Sequence, residues 1–361
     1  MEGVESGGVM GTAFRIVLIV SSILLMAVGC GGRVSERHVE SASVDRAPVE
    51  IVVPTQDTII VSGSQLMVQW ATEADSCQVF LGTERIGVEN GAAIDTKNCP
   101  LGVQHIRVVA WRNGGSSEAL RRVAILAADA PQEYGYRVMK EYPHDENAYT
   151  QGLLFHNGSL YESTGQRGAS TVRRVELATG KVLQENKLID SEFGEGLTLL
   201  GGVLYQLTWT SHRCHLYDLE TLSPIGEFYY NTQGWGLESD GVYLYMTDGT
   251  ENIYVLDPKT FKVLRTIQAY TNEGPQRMLN ELEFIEGLLY ANVYLTDEIV
   301  AINPETGAVV RRVHLDGLLP ERYRTPHVEV LNGIAYDAEH GAIYLTGKYW
   351  PKLYHVEFVA K

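Results

Sequence analysis

Glu195-Gly196-Leu197-Thr198-Leu199-Leu200-Gly201-Gly202-Val203-Leu204-Tyr205 reads as two short strands joined by a tight turn. The apolar runs fit a pleated pair, and Gly201-Gly202 supplies the backbone freedom the turn needs. Four other stretches repeat it: Gln151-Gly152-Leu153 with Leu160-Tyr161, Trp235-Gly236-Leu237 with Leu244-Tyr245, Asn280-Glu281-Leu282 with Leu289-Tyr290, and Asn332-Gly333-Ile334 with Ile343-Tyr344. The steps between copies are 44, 40, 45 and 52 residues. That spacing suits four-stranded propeller blades and is too long for helical or leucine-rich repeats. Each unit continues into a second strand pair, with turns at Ala178-Thr179-Gly180, Leu219-Glu220-Thr221, Asp257-Pro258-Lys259-Thr260 and Asn303-Pro304-Glu305-Thr306-Gly307. The last unit has one further strand, Lys352 to Phe358. Tyr136 to Tyr142, ahead of the first unit, is the expected partner that closes the ring and hides the free edge.

The expected fold is therefore all-β, a five-bladed β-propeller at 136–361 preceded by a small immunoglobulin-like β-sandwich at 50–127. In the sandwich, Leu66, Val68 and Trp70 alternate onto one face, as do Ile106, Val108 and Ala110. Ala128 to Gly135, with Pro131, reads as the linker. Upstream, Arg15 precedes an apolar run from Ile16 to Val28 that ends in Ala27-Val28-Gly29-Cys30. The run is shorter than the ~20 residues a membrane span needs. Its end resembles a bacterial lipobox, so 1–29 is expected to be a lipoprotein signal peptide and Cys30 the acylated residue. Residues 30–49 then form a flexible tether. This places the protein in a bacterial cell envelope, lipid-anchored. Gly31 after the anchor favours the outer membrane over retention in the inner one. An oxidising compartment favours a Cys77–Cys99 bridge, leaving Cys214 as a buried thiol in a strand. The net charge of −16 argues against nucleic acid or anionic membrane surfaces as partners.

Superposing the five copies puts unlike chemistry at like positions. Just before each Gly-Leu, where the chain enters the innermost strand, stand Gln151, Glu195, Trp235, Asn280 and Asn332. Five residues on from the start of each Leu-Tyr pair stand Gly165, Trp209, Gly249, Tyr294 and Lys348. The two glycines are expected to leave room on one side. The others bring aromatic walls, one acid and one cation to one mouth of the channel, which is the form of a small-molecule site. The recurrent Tyr161, Tyr205, Tyr245, Tyr290 and Tyr344 read as packing. His212 and His215 have ligand-like spacing without a carboxylate partner motif, and no nucleophile elbow, zinc-protease helix motif or phosphate loop occurs. No metal and no cofactor are expected.

Tyr149-Thr150-Gln151-Gly152-Leu153, Leu160-Tyr161-Glu162-Ser163-Thr164-Gly165, Phe193-Gly194-Glu195-Gly196-Leu197-Thr198, Leu204-Tyr205-Gln206-Leu207-Thr208-Trp209, Gly234-Trp235-Gly236-Leu237, Leu279-Asn280-Glu281-Leu282-Glu283 and Thr346-Gly347-Lys348 together resemble the plant-type and bacterial glutaminyl-peptide cyclotransferases. The resemblance spans about residues 136 to 358. It implies a metal-independent acyltransferase that turns an N-terminal glutamine of peptides or proteins into pyroglutamate with release of ammonia. It also implies Glu195 as general acid/base, with Gln151, Phe193, Trp209, Trp235, Asn280 and Lys348 lining the substrate site. Lys348 or an amide N–H would stabilise the oxyanion and Asn280 would accept from the substrate amine; on sequence alone these roles are interchangeable. One departure is Asn292-Val293-Tyr294, where the family shows Trp at the third place. Tyr294 keeps an aromatic wall but shortens it and adds a hydroxyl. The competing reading is a non-catalytic propeller that binds peptide termini or polysaccharide.

Overall fold

The glycine of each X-Gly-Leu copy is dictated by the neighbouring blade. A Cβ on Gly152 would sit 2.5 Å from the Leu197 amide nitrogen, and one on Gly196 or Gly236 would overlap the backbone at Leu237 or Asn280. The inner strands approach one another at the axis too closely for a side chain. The computed structural model describes residues 46–87 and 89–361, so the expected signal peptide, Cys30 and the expected tether as far as residue 45 lie outside the described residues.

Four strands make each of the first four blades: Thr150–His156 to Val182–Lys187, Gly194–Leu200 to Pro224–Tyr229, Leu237–Ser239 to Val263–Gln268, and Leu279–Ile285 to Val309–His314. The fifth blade takes Leu331–Asp337, Ala342–Gly347 and Lys352–Ala360 from the chain's end and its outer strand, Gln132–Pro143, from before the first blade. Tyr136 pairs with Phe358 and Tyr142 with Leu353, antiparallel, as the ring closure requires. Gln132 to Tyr134 also run parallel to Arg311 to Val313 of the fourth blade, joining two blades in one eight-stranded sheet. The closing strand thus begins at Gln132 rather than Tyr136, and the connection from the amino-terminal module shrinks to residues 128–131. All five recurrent tyrosines are buried between blades.

In the fourth copy Glu281 replaces the glycine, and the exchange is structural. Its buried carboxyl accepts from the Leu153 N–H at 3.2 Å and the Ile334 N–H at 2.9 Å, tying the fourth blade to the first and fifth.

The amino-terminal module has one five-stranded sheet. Its order is Thr58–Val61, Gly115–Leu126, Gly102–Arg112, Ser76–Leu81 and Glu84–Ile86, the first two parallel. Two strand pairs, Val49–Val53 with Gln69–Thr72 and Gln65–Met67 with Ala93–Asp95, complete it around Leu66, Val68, Trp70, Ile106 and Val108. It docks on the propeller through Gln268. The Gln268 Oε1 accepts from the Val103 N–H and its Nε2 donates to the Val103 carbonyl, both at 3.0 Å, while Tyr270 packs into the module's core. The expected Cys77–Cys99 bridge is not formed, and both thiols are free. Cys77 lies in the five-stranded sheet opposite Ala110, whereas Cys99 follows the strand Ala93–Asp95 of another sheet, its Sγ 3.7 Å from the Asp95 carbonyl. Cys214 is fully buried, and burial pushes its thiol up.

Candidate active site

The start of each inner strand points its first-ring side chain to the axis, and the loop after each second strand brings in the second ring. Tyr149, Gln151, Phe193, Glu195, Trp209, Trp235, Asn280, Tyr294 and Lys348 line one cavity of about 200 Å³. Every substrate-site residue expected from the sequence is in that lining. The polar members form its floor, each no more than 4% exposed, and Phe193, Trp209, Trp235 and Tyr294 form a half-buried wall above them.

Contacts between rings set the wall. Tyr149 meets Phe193 edge-on at 5.8 Å, Phe193 meets Trp209 at 5.8 Å, and Trp235 meets Tyr294 at 5.4 Å. Gly165 and Gly249 do not open space as expected. A Cβ on Gly165 would overlap the Phe193 ring, and one on Gly249 would stand 2.7 Å from the Trp235 ring. The rings press against the bare backbone, so the glycines fix the wall instead of widening the mouth. Gln233 holds the other edge, its Oε1 accepting from the indole N–H of Trp209 at 2.7 Å and of Trp235 at 3.0 Å.

Electrostatics separates the floor from ordinary protein interior. Burial raises the Glu195 carboxyl well above the usual carboxylate range; Lys348 and a hydrogen bond from Gln151 oppose the shift without reversing it. Burial likewise pulls Lys348 down to about 8, against the pull of Glu195 and Glu329. Its ammonium sits over two rings, 4.7 Å from the centre of Tyr149 and 4.9 Å from that of Tyr294. Asn332 supports from behind. Its Nδ2 donates to the Thr150 carbonyl at 3.0 Å and to Gln151 Oε1 at 3.2 Å, which leaves the Gln151 amide hydrogens for Glu195. The Asn280 Oδ1 is buried with no partner. An orphaned acceptor costs about 1–3 kcal/mol, so this atom is set for a donor that arrives with a ligand.

Two participants escaped the sequence reading, Tyr149 as a wall and Gln233 as the indole clamp. Both stand two residues ahead of a first-ring position, the offset that also holds Phe193 before Glu195. That third ring of the repeat was legible. His212 and His215 diverge, His212 Nδ1 to the Thr232 carbonyl at 2.6 Å and His215 Nε2 to Glu192 at 2.7 Å.

The profile of the glutamine cyclotransferase family matches residues 110–358. A glutaminyl-peptide cyclotransferase of Arabidopsis thaliana is 43% identical over 224 residues, 61% of this chain and 70% of that one. The crystal structure of Myxococcus xanthus glutaminyl cyclase superposes with a TM-score of 0.61 at 32% identity, covering 64% of this chain and 99% of that one. With the family profile spanning more than half of the sequence, the chain belongs to the glutamine cyclotransferase family.

Proposed function

We propose that the protein is a glutaminyl-peptide cyclotransferase, with Glu195 as the group that carries the proton. The observation that bears most weight is a desolvated carboxyl on the floor of an aromatic-walled cavity of about 200 Å³. Drug-sized ligands occupy roughly 300–1,000 Å³. A cavity smaller than that suits one terminal residue and is too small for a polysaccharide segment.

The α-amine of the substrate must attack its own γ-carboxamide carbon. The ring-closing C–N bond forms, the carboxamide oxygen becomes an oxyanion, and the original C–N bond breaks as ammonia leaves. The chain is already its own nucleophile, so much of the work is to hold the folded rotamer, which the rings around the floor do. One proton must move from the attacking amine to the leaving nitrogen. Glu195 takes it and gives it back to the leaving group. Burial raises that carboxyl, which narrows its gap to the attacking amine and lowers the cost of passing the proton in either direction. Asn280 Oδ1 accepts from the amine and aligns its lone pair. The Lys348 ammonium faces the developing oxyanion.

We also propose that Cys30 is acylated and that residues 31–45 tether the folded part to a bacterial envelope membrane. The lipobox-like end of the apolar run supports this reading. Incubation of the purified protein with a Gln-initiated dipeptide, with ammonia and product mass measured, tests the activity. No ammonia above the uncatalysed background refutes it. Metabolic labelling with a palmitate analogue, lost in Cys30→Ser, tests the anchor.

A further inference from the structure

The wall does not stop at the cavity. Tyr349, one residue past Lys348, packs edge-on against Tyr149 at 5.1 Å and stacks on His327 at 4.0 Å. With the Tyr149–Phe193–Trp209 contacts this makes an unbroken run of rings from the second blade out to an exposed histidine. Tyr349 holds φ at +60, and Gln166 and Leu295 hold +86 and +69 at the corresponding turns. Three of the five copies share this left-handed turn, and of these only the fifth blade's carries an aromatic side chain. The Tyr349 N–H donates to the Ala148 carbonyl at 2.7 Å, which fixes it there.

Beside this ledge stands Glu329. Its N–H donates to the Lys348 carbonyl at 3.0 Å, and its own carbonyl accepts from the Trp350 indole at 2.9 Å, so the backbone is pinned while the side chain is exposed. Its carboxylate lies close enough to the Tyr149 hydroxyl to help push that phenol up. Among the described residues Glu329 enters no ion pair. Across the mouth, the Arg167 guanidinium is engaged with the Ser191 carbonyl at 3.2 Å and Thr210 Oγ1 at 3.1 Å. The guanidinium keeps its charge but is held on that far side, against the Trp209 ring, so Glu329 is the charge on the Tyr349 side of the rim, on a protein of net charge −16.

Cyclisation uses both the α-amine and the side chain of the terminal glutamine inside the cavity. The rest of the substrate must leave through its α-carbonyl, over the rim. We propose that Glu329 and the Tyr349–His327 stack form a second subsite, which receives the side chain of the residue following the glutamine and selects a cationic one. This rests on the cyclotransferase reading. An arginine or lysine side chain gains the carboxylate and a ring edge, while an acidic one meets like charge.

The test compares kcat/KM for Gln-Arg-amide, Gln-Ala-amide and Gln-Glu-amide at low and high salt. Gln-Arg is expected to exceed Gln-Glu by about tenfold at low salt, with the ratio shrinking as salt screens the pair. Glu329→Gln brings the ratio close to one, and Glu329→Lys inverts it, with unchanged melting temperatures showing that the fold survives. A ratio that is the same in wild type and Glu329→Gln overturns the proposal. So does a preference for Gln-Glu that Arg167→Ala abolishes, since the chain would then leave over the opposite rim. If no peptide releases ammonia, the cyclotransferase reading fails, and calorimetric binding of pyroglutamyl-Arg-amide against pyroglutamyl-Glu-amide decides the subsite by itself. Equal affinities sink it, and tighter binding of the Arg peptide, lost in Glu329→Gln, sustains it.

Discussion

Glu162 and Glu195 are glutamates of neighbouring blades, equally buried, with opposite electrostatics. Glu162 accepts from Thr150 Oγ1 at 2.6 Å and from Arg173 Nε and Nη2 at 2.9 and 2.7 Å, with His144 Nε2 at 3.0 Å. Arg173 and these bonds overcome the burial and hold its carboxyl far below the ordinary range. Glu195 has one amide, one cation shared with two rings, and otherwise aromatic walls, so burial wins and its carboxyl rises. Burial thus makes a buried acid sensitive, and the partners set the direction. The fully partnered acid is a structural tie between strands, and the under-partnered one is able to carry a proton.

Exchanging each acid for its amide separates the two roles. Glu195→Gln keeps the shape of the floor and removes the proton carrier, so kcat should fall by about 10²–10⁴-fold with little change in melting temperature. Near-normal turnover in that variant would end the comparison. Glu162→Gln takes the buried anion from His144 and leaves Arg173 only Asp145, at 2.8 Å. Breaking a buried pair from one side costs about 3–5 kcal/mol, so this variant should melt much earlier while activity per folded molecule falls far less.

Titration sharpens the contrast. Glu162 has a folded pKa below its unfolded value, so its stabilisation is present above pH 4.5 and is lost as the pH falls. Glu238, buried against Thr198 at 3.1 Å, is raised by burial to about 8, and Glu281 and Glu283 at the axis are raised too. For these the unfolded chain ionises first. Their contribution is complete below pH 4.5 and declines as the pH climbs toward 8. Lys348, titrating at about 8, adds little inside that window. Melting temperature should therefore peak near pH 5 and fall toward pH 8, and Glu238→Gln should flatten the fall. A wild-type profile that rises across that interval contradicts the assignment.

The sequence carried the ring, because the X-Gly-Leu copies record a steric demand made once per blade, and unlike residues at that one position had no packing reason to differ. It also carried Glu195, Trp209, Trp235 and Tyr294 for the same reason, while Phe193 came from the family resemblance and Tyr149 from neither. What it hid was contact between copies. Gly165 and Gly249 look like vacancies until Phe193 and Trp235 are seen lying on them. Glu281 looks like a lapse in the repeat until its two backbone donors, one from the first blade and one from the fifth, are in view. The cysteines misled because compartment chemistry says which bonds can form, whereas the placement of Cys77 in the five-stranded sheet and of Cys99 in the loop after Ala93–Asp95 decides which do.

The smallest effects belong to the wall. Gly249→Ala places a methyl 2.7 Å from the Trp235 ring at a backbone with φ +83, so it should tilt the indole and raise KM more than it lowers kcat, by about tenfold in kcat/KM. Tyr294 is subtler, since it meets Trp235 edge-on and carries the Lys348 ammonium on its face. Tyr294→Ala removes both contacts and should raise KM by about tenfold, still short of the kcat loss in Glu195→Gln. Tyr294→Trp supplies a larger ring. It adds a few tens of Å² of apolar contact, worth roughly 1 kcal/mol at ~25 cal/mol per Å², so KM should fall a few-fold. Trp is also the better partner for a cation, so the Lys348 ammonium is favoured and the alkaline limb of the kcat/KM profile moves up from about pH 8. A KM that falls with no movement of that limb would mean that Tyr294 serves the wall alone. A limb that moves with KM unchanged would mean that it serves the cation alone.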